Sequence, residues 1–478
     1  MPCQTLPIEN LPAWAHLNGA SFTRARVSKI EGKGYGVVCE KDLSTAEATL
    51  NGPALITVPR GLVLNAAAVG EYAKEDKNFR QLLDAVGHRS TRADVLLFLL
   101  VQTALASQPR HHSVGVLNPW TEYVQFLPET VSVPTLWNEE ERLLLRGTSL
   151  EPAVNAKISA LDAEFAEVRE RSSDIACWNE LLWESGSISF TDWIRLDALY
   201  RSRCLELPRL GESMVPCIDM VNHSVDPSAY YEENPKDEVI LLPRPGIDLS
   251  KGDEVTISYG DTKSAAEMLF SYGFVDPRST ADSLVLPLKP FSDDPLAKAK
   301  LVAFGQAPKI HVARESGSVR WTSEFAYLMC INEEDGLAFR VLQETDGRQQ
   351  LRVFWQDEDV TDRTSDFETL IQAHPLSEIL KLRVVTVIHE ALEGQLERLR
   401  SSSDPVLEPG LQREDCIKSA LMLREIETKL LEDTVVALEQ VRSSLLGDKN
   451  VAAYLGLTEP ARSDLVDQEA SNEAEDFS

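Results

Sequence analysis

From Leu62 to about Leu205 the sequence carries helical periods, and on both sides of that block it carries short strand-like runs. This interruption constrains the fold more than any other feature. Before the block come "RVSKI", the glycine-spaced "EGKGYG", "VVCEKDL" and "ALITVPR"; after it come "MVPCIDMV", "EVILLPR" and "DEVTISY". Runs this short bury little on their own, so both sets are expected to share one sheet, which makes the helices an insertion in a β-rich α+β domain. After about Asp276 a mixed segment leads to two amphipathic helices, Leu376 to Arg400 and Arg413 to Leu446, joined by "SSSDPVLEPGLQ". These predict a separate, mainly α-helical C-terminal domain.

At 478 residues, with 43% hydrophobic and 26% charged residues, the chain has the composition of two or three folded units. The last 16 residues hold six acidic groups and no basic one, predicting a solvated disordered tail. A formal charge of -29 leaves little basic surface for phosphate, so direct nucleic-acid binding is not expected, whereas a basic protein partner is allowed. The longest apolar stretch, Val95 to Ala106, is too short for a bilayer and reads as a buried helix. The N-terminus lacks the pattern of a signal or transit peptide, so cytoplasm or nucleus is expected, and a monomer with no membrane association. Seven dispersed cysteines without a C-x-x-C pair argue against a disulfide framework and against structural zinc; no metal is expected.

Several stretches could carry chemistry. Gly32, Gly34 and Gly36 in "EGKGYGV" precede a strand-like run rather than the helix a dinucleotide loop requires, leaving a glycine turn or close backbone approach to a ligand without phosphates. In "DALYRSRCLEL", Arg203 continues the apolar stripe of Leu196 and Leu199 and points inward, toward a carboxylate, carbonyls or a bound anionic group. Arg201 and Asp197 read as a plain surface pair. In "DEVTISYG", alternation puts Val255, Ile257 and Tyr259 on one face, and Tyr272-Gly273-Phe274 follows a short helix. Core packing and an aromatic cage for a cation both fit those rings. "VPCIDMVNHS" ends an apolar strand with Asn222 and His223. A Cys217–His223 nucleophile pair lacks an orienting third residue, and an Asp219–His223 metal site lacks further ligands. Glu232 and Glu233 read as solvated acids.

In order, "EGKGYGV", "RSRC", "CIDMVNHS" and "ISYGDTKSAAEMLFSYGFVD" resemble the SET-domain protein methyltransferases of the class related to Rubisco large-subunit lysine methyltransferase. The resemblance covers most of residues 21 to 445. It implies an N-terminal extension (1–20), a split SET catalytic domain (21–280, with the helical insertion at about 62–205), a helical substrate-binding domain (281–450) and a tail (451–478). It also implies a pseudoknot in which the Asn-His strand passes beneath the loop leading to the second tyrosine. The implied cofactor is S-adenosyl-L-methionine, held by Gly34, Tyr35, Ser202, Arg203, Asp219, Asn222, His223, Tyr259 and Tyr272. Tyr259 is the implied catalytic residue, and Tyr272, Phe274 and either Tyr230 or Tyr231 line the implied channel for a target lysine. The implied partner is a protein, non-histone and for example ribosomal. Histidine methylation by the same architecture and a SET-fold binding module without catalysis are the alternatives.

Overall fold

The strands flanking the helical block do pair across it, but into two sheets rather than the one expected. The computed structural model describes residues 5–43, 54–107, 116, 118–184, 188–279, 281–343, 349–402 and 412–456. Among the described residues ten strands precede Tyr259: β1 (Ser21–Phe22), β2 (Ala25–Ile30), β3 (Gly34–Cys39), β4 (Ile56–Pro59), β5 (Cys204–Leu207), β6 (Gly211–Met214), β7 (Asn222–His223), β8 (Ala229–Glu233), β9 (Glu238–Pro243) and β10 (Glu254–Ile257). One sheet runs β1-β4-β9-β8, the other β2-β3-β10-β7, and β5 and β6 form a separate hairpin. Each four-stranded sheet therefore takes strands from both sides of the helices.

The β2–β3 hairpin is antiparallel from the Ala25–Cys39 pair to the Ile30–Gly34 pair. Its turn needs positive φ at Gly32 (+73°) and Gly34 (+83°), which glycine adopts without the Cβ penalty. β7 lies parallel to β10, Asn222 opposite Thr256 and His223 opposite Ile257. The run "MVPCIDMV" is not the strand it was expected to be: Ile218–Met220 form a 3-10 turn, and Cys217 has φ +71° rather than a mid-strand conformation. A short apolar run does not separate strand from buried turn by periodicity. What holds the turn is remote in sequence, since the Cys217 N–H donates to the Tyr123 hydroxyl at 2.9 Å.

The helices of the described residues include α1 (Leu11–Leu17), α2 (Thr91–Ala106), α3 (Leu150–Ser173), α4 (Phe190–Arg203), α5 (Ala265–Tyr272), α6 (Ser377–Ser401) and α7 (Glu414–Leu446). α2 is apolar all round and buried throughout its middle, from Val95 to Gln102. α1 buries Leu11 and Trp14, whose indole N–H donates to the Pro119 carbonyl. α4 starts on a capping box, Ser189 with Asp192, and is covered on both faces. The reading of Asp197 and Arg201 as a surface pair is therefore corrected. Asp197 is fully buried and meets Arg92 (2.8 Å), Lys157 (2.9 Å) and Arg201 (2.8 Å). Glu233 is likewise not simply solvated, because the Arg209 backbone N–H and guanidinium cover its carboxylate.

The chain divides into two compact units, one drawn from residues 1–284, 313–318 and 395–430, the other from 285–312, 319–394 and 431–478. Within the first, Ala265 and Leu269 of α5 share an apolar cluster with Cys416, Ala420 and Leu423 of α7 and with Trp137 and Leu145. Arg413, just before α7, clamps Glu141 with its backbone N–H (3.0 Å), Nε (2.8 Å) and Nη2 (3.0 Å). The second unit contains an antiparallel sheet of Leu337–Gln343, Gln349–Trp355 and Glu358–Asp359, with Val353, Phe367 and Leu380 buried in that unit. No helix among the described residues is long and apolar enough to cross a membrane. The acidic tail beyond residue 456 lies outside the described residues.

Candidate active site

A cavity of about 280 Å³ opens where the C-terminus of α4, the β5–β6 hairpin, the end of β10 and the end of α5 converge. Ser202, Arg203, Asp219, Tyr231, Tyr259 and Tyr272 all line it. Of the sequence-derived residues, these six are brought together.

Arg203 ends the buried stripe of α4, so its guanidinium has to find partners inside. Its Nη1 donates to the Asp219 carbonyl at 2.8 Å and stands 3.4 Å from the Asp219 carboxylate. That carboxylate in turn accepts from the Tyr123 hydroxyl, whose oxygen accepts the Cys217 N–H. Burial pushes the Tyr123 phenol well up, so it remains a donor. This relay explains the kink at Cys217 and fixes Arg203. Sequence reading missed Tyr123, which lies in the helical block with only an aromatic-rich context to mark it. Among the described residues no polar atom meets the buried Nε of Arg203.

Tyr259 follows β10, and its hydroxyl donates to the Val221 carbonyl at 2.7 Å. The Tyr272 ring lies against it, centroids 4.5 Å apart, and the Tyr272 hydroxyl points to the Tyr259 carbonyl at 3.4 Å. Burial raises the Tyr259 phenol far above its ordinary value and pushes that of Tyr272 up to about 12, so both rings stay neutral at physiological pH. Tyr272 is held by the helix end: Gly273 has φ +85°, and a Cβ there would meet the Ser132 backbone at 2.7 Å.

The open choice between Tyr230 and Tyr231 is resolved in placement by the pleat of β8. Tyr231, opposite Leu241, lines the cavity, and its neighbour Tyr230 does not. Phe274 is not in the lining either; its ring packs 6.0 Å from that of His223. His223 has a covered side chain beside a second cavity of about 100 Å³. Its Nδ1 accepts the Tyr259 N–H at 3.0 Å, which places the imidazole proton on Nε2. Burial holds its pKa below the ordinary value of about 6.5. The neutral ring therefore fixes the backbone that carries Tyr259. Because the folded state resists protonating it, this contribution is complete above about pH 6.5 and is lost as pH falls toward the folded pKa. The thermal midpoint should drop on acidification through that window, and His223→Asn should remove that part of the drop. An equal drop in the variant would contradict the assignment.

Gly34, Tyr35 and Asn222 stand apart from the lining but together. The Asn222 amide nitrogen points to the Tyr35 carbonyl at 3.4 Å and donates to Glu254 at 2.8 Å. Asn222 directly follows Val221, which does line the cavity. Among the described residues, no group of three or more His, Cys, Asp or Glu side chains is arranged to hold a metal ion.

No family model matches the chain. It is 28% identical over 436 residues to SET domain-containing protein 8 of Schizosaccharomyces pombe, spanning 90% of this chain and 94% of that relative. It is 25% identical over 305 residues to the chloroplastic Rubisco large subunit N-methyltransferase of Nicotiana tabacum, covering 62% of this chain and 56% of that protein, little more than half its length. Actin-histidine N-methyltransferase of Gallus gallus matches at 22% over 462 residues, covering 88% of this chain and 69% of that one. The solved structure of Rubisco LSMT bound to AdoMet superposes with a TM-score of 0.67 at 20% identity, over 95% of this chain and 98% of that chain. The fold is thus the SET fold, with mixed strand and helix content. In sequence the chain is thus similar to a SET domain-containing protein and to a Rubisco large subunit N-methyltransferase.

Proposed function

We propose that this protein is an S-adenosylmethionine-dependent protein methyltransferase whose acceptor is a lysine side chain. The observation that carries the reading is one cavity walled by Tyr231, Tyr259 and Tyr272, with the inward Arg203 and two carboxylates, Glu206 and Glu212, in the same lining. Arg203, in the cavity lining, suits the cofactor's carboxylate. When bound, S-adenosylmethionine supplies a methyl group activated by a positively charged sulfur.

The chain's own residues then have to orient and desolvate. Tyr259 keeps its proton and directs it at Val221, so the phenol oxygen's lone pairs remain to accept from the substrate amine or the polarised methyl. Tyr272 and Tyr231 supply channel walls. A lysine of reference pKa ~10.4 is charged in water, and enclosure by aromatic rings beside a cationic sulfur favours its neutral, nucleophilic form without a dedicated base.

Glu206 and Glu212 face each other directly across the β5–β6 hairpin, and both are exposed. Like charges in that register repel unless a cation lies between or near them. A lysine ammonium arriving at the cavity rim gains from both, whereas a neutral imidazole gains little, and this favours lysine over histidine at the encounter; Arg201, Arg203 and Lys263 in the same lining offset the carboxylates, so the bound amine is still free to lose its proton. The charge of -29 favours a basic protein substrate, with steering that weakens as salt rises. Calorimetric titration of the purified protein with S-adenosylmethionine should give one-to-one binding; no binding up to about 1 mM, a free energy of only ~4 kcal/mol, would overturn the reading.

A further inference from the structure

We infer that Glu254 is a positioning residue for the cofactor site: it fixes the Asn222 amide so that its oxygen, not its nitrogen, is presented to the ligand. This rests on the methyltransferase reading above and extends it to a residue that sequence inspection passed over. Glu254 and Thr256 lie on one face of β10, and Asn222 is the parallel neighbour of Thr256, so the Glu254 and Asn222 side chains are diagonal partners. Glu254 Oε1 accepts from Asn222 Nδ2 at 2.8 Å, and its other oxygen accepts from Lys33 Nζ of the glycine turn at 2.7 Å.

An amide nitrogen facing a carboxylate at 2.8 Å and the Tyr35 carbonyl at 3.4 Å has both N–H groups directed at acceptors. Flipping the amide would set its oxygen against those two oxygens, so one orientation is enforced. Oδ1 is left on the opposite side, ready to accept from an N–H donor of the ligand. Gly36 makes this arrangement possible. A Cβ at Gly36 would meet Asn222 Nδ2 at 2.6 Å and Glu254 Oε1 at 3.1 Å. The third glycine of "EGKGYG" thus serves the Asn222–Glu254 contact, while the first two serve the turn.

The test is titration of the full chain with S-adenosylmethionine, with the thermal midpoint of each ligand-free variant measured alongside. Glu254→Ala should weaken binding by about tenfold or more, the scale of one hydrogen bond to a charged group. Glu254→Gln retains an oxygen that can accept from Asn222 and should bind within about threefold of wild type. A purely structural role for the carboxylate, or one acting through Lys33, would leave the Gln variant as weak as the Ala variant, and that result overturns the inference. So does wild-type affinity in Glu254→Ala. If Glu254→Ala does not fold, the pair Asn222→Asp and Asn222→Asp with Glu254→Gln decides. The single variant sets two carboxylates face to face and should bind weakly, and the double variant should regain about fivefold or more; no regain overturns the inference. Failure of the wild-type protein to bind would overturn the methyltransferase reading itself, and the positioning role with it, whereas binding that is insensitive to Glu254 removes the positioning role alone.

Discussion

Tyr259→Phe should reduce methyl transfer by about a hundredfold or more while leaving S-adenosylmethionine affinity within about threefold, on the scale seen when one preorganised polar group at a reacting centre is removed. The phenol is the polar group that β10 delivers into the cavity, and its geometry is fixed three ways. Its proton goes to Val221, its ring packs tilted against that of Tyr272, and its backbone N–H is held by His223. Phenylalanine keeps the ring contact and loses only the oxygen, so the change isolates the acceptor that aligns the amine. Binding survives because Arg203 and Asn222 are untouched. Comparable turnover in the variant would leave Tyr259 as a packing residue.

A second large effect is expected far from the reacting atoms. Asp197→Asn should destabilise the protein by about 3 kcal/mol, the lower end of the range for removing one partner of a buried charge cluster. Three cations converge on this fully buried carboxylate, and an amide cannot neutralise them. Burial alone would raise the Asp197 carboxyl, but Arg201 and Lys157 hold it below its usual range, which marks the ion as firmly retained. The lower end is appropriate because Arg92 and Lys157 keep about a fifth of their side-chain surface and recover some hydration. Arg201 also donates to the Phe270 carbonyl of α5 and to Thr135 at 3.0 Å, so the loss should loosen the helix that carries Tyr272. Urea unfolding with an unchanged slope would report it directly; a loss under about 1 kcal/mol would mean that the cluster contributes little.

Much of the architecture was legible because it depends on local pattern. α2 spans the Thr91 to Ala106 expected from its apolar run, and the two long C-terminal helices begin and end within a residue of their expected bounds. The inward direction of Arg203 followed from its spacing to Leu199, and its partner is one of the classes that spacing allowed, a carbonyl and carboxylate of Asp219. What could not be read depends on partners distant in sequence. Asp197 looked like a surface acid because Arg92 and Lys157, which bury it, lie 105 and 40 residues earlier. The kink at Cys217 needed Tyr123, and the choice between Tyr230 and Tyr231 needed the β8–β9 register. Glu254 drew no reading at all, because Asn222, 32 residues earlier, becomes its neighbour only when β7 is laid beside β10. The partition into two sheets likewise follows from pairing, which alternation along single strands does not encode.

The most direct measurement is transfer of a labelled methyl group. Purified protein and methyl-labelled S-adenosylmethionine are added to an extract from cells that lack the protein, and the labelled proteins are hydrolysed to identify the modified amino acid. Label in methylated lysine, present with wild type and absent with Tyr259→Phe, is the predicted result. Label in methylated histidine would contradict the lysine assignment, and no protein label with either form would contradict the proposed transferase activity.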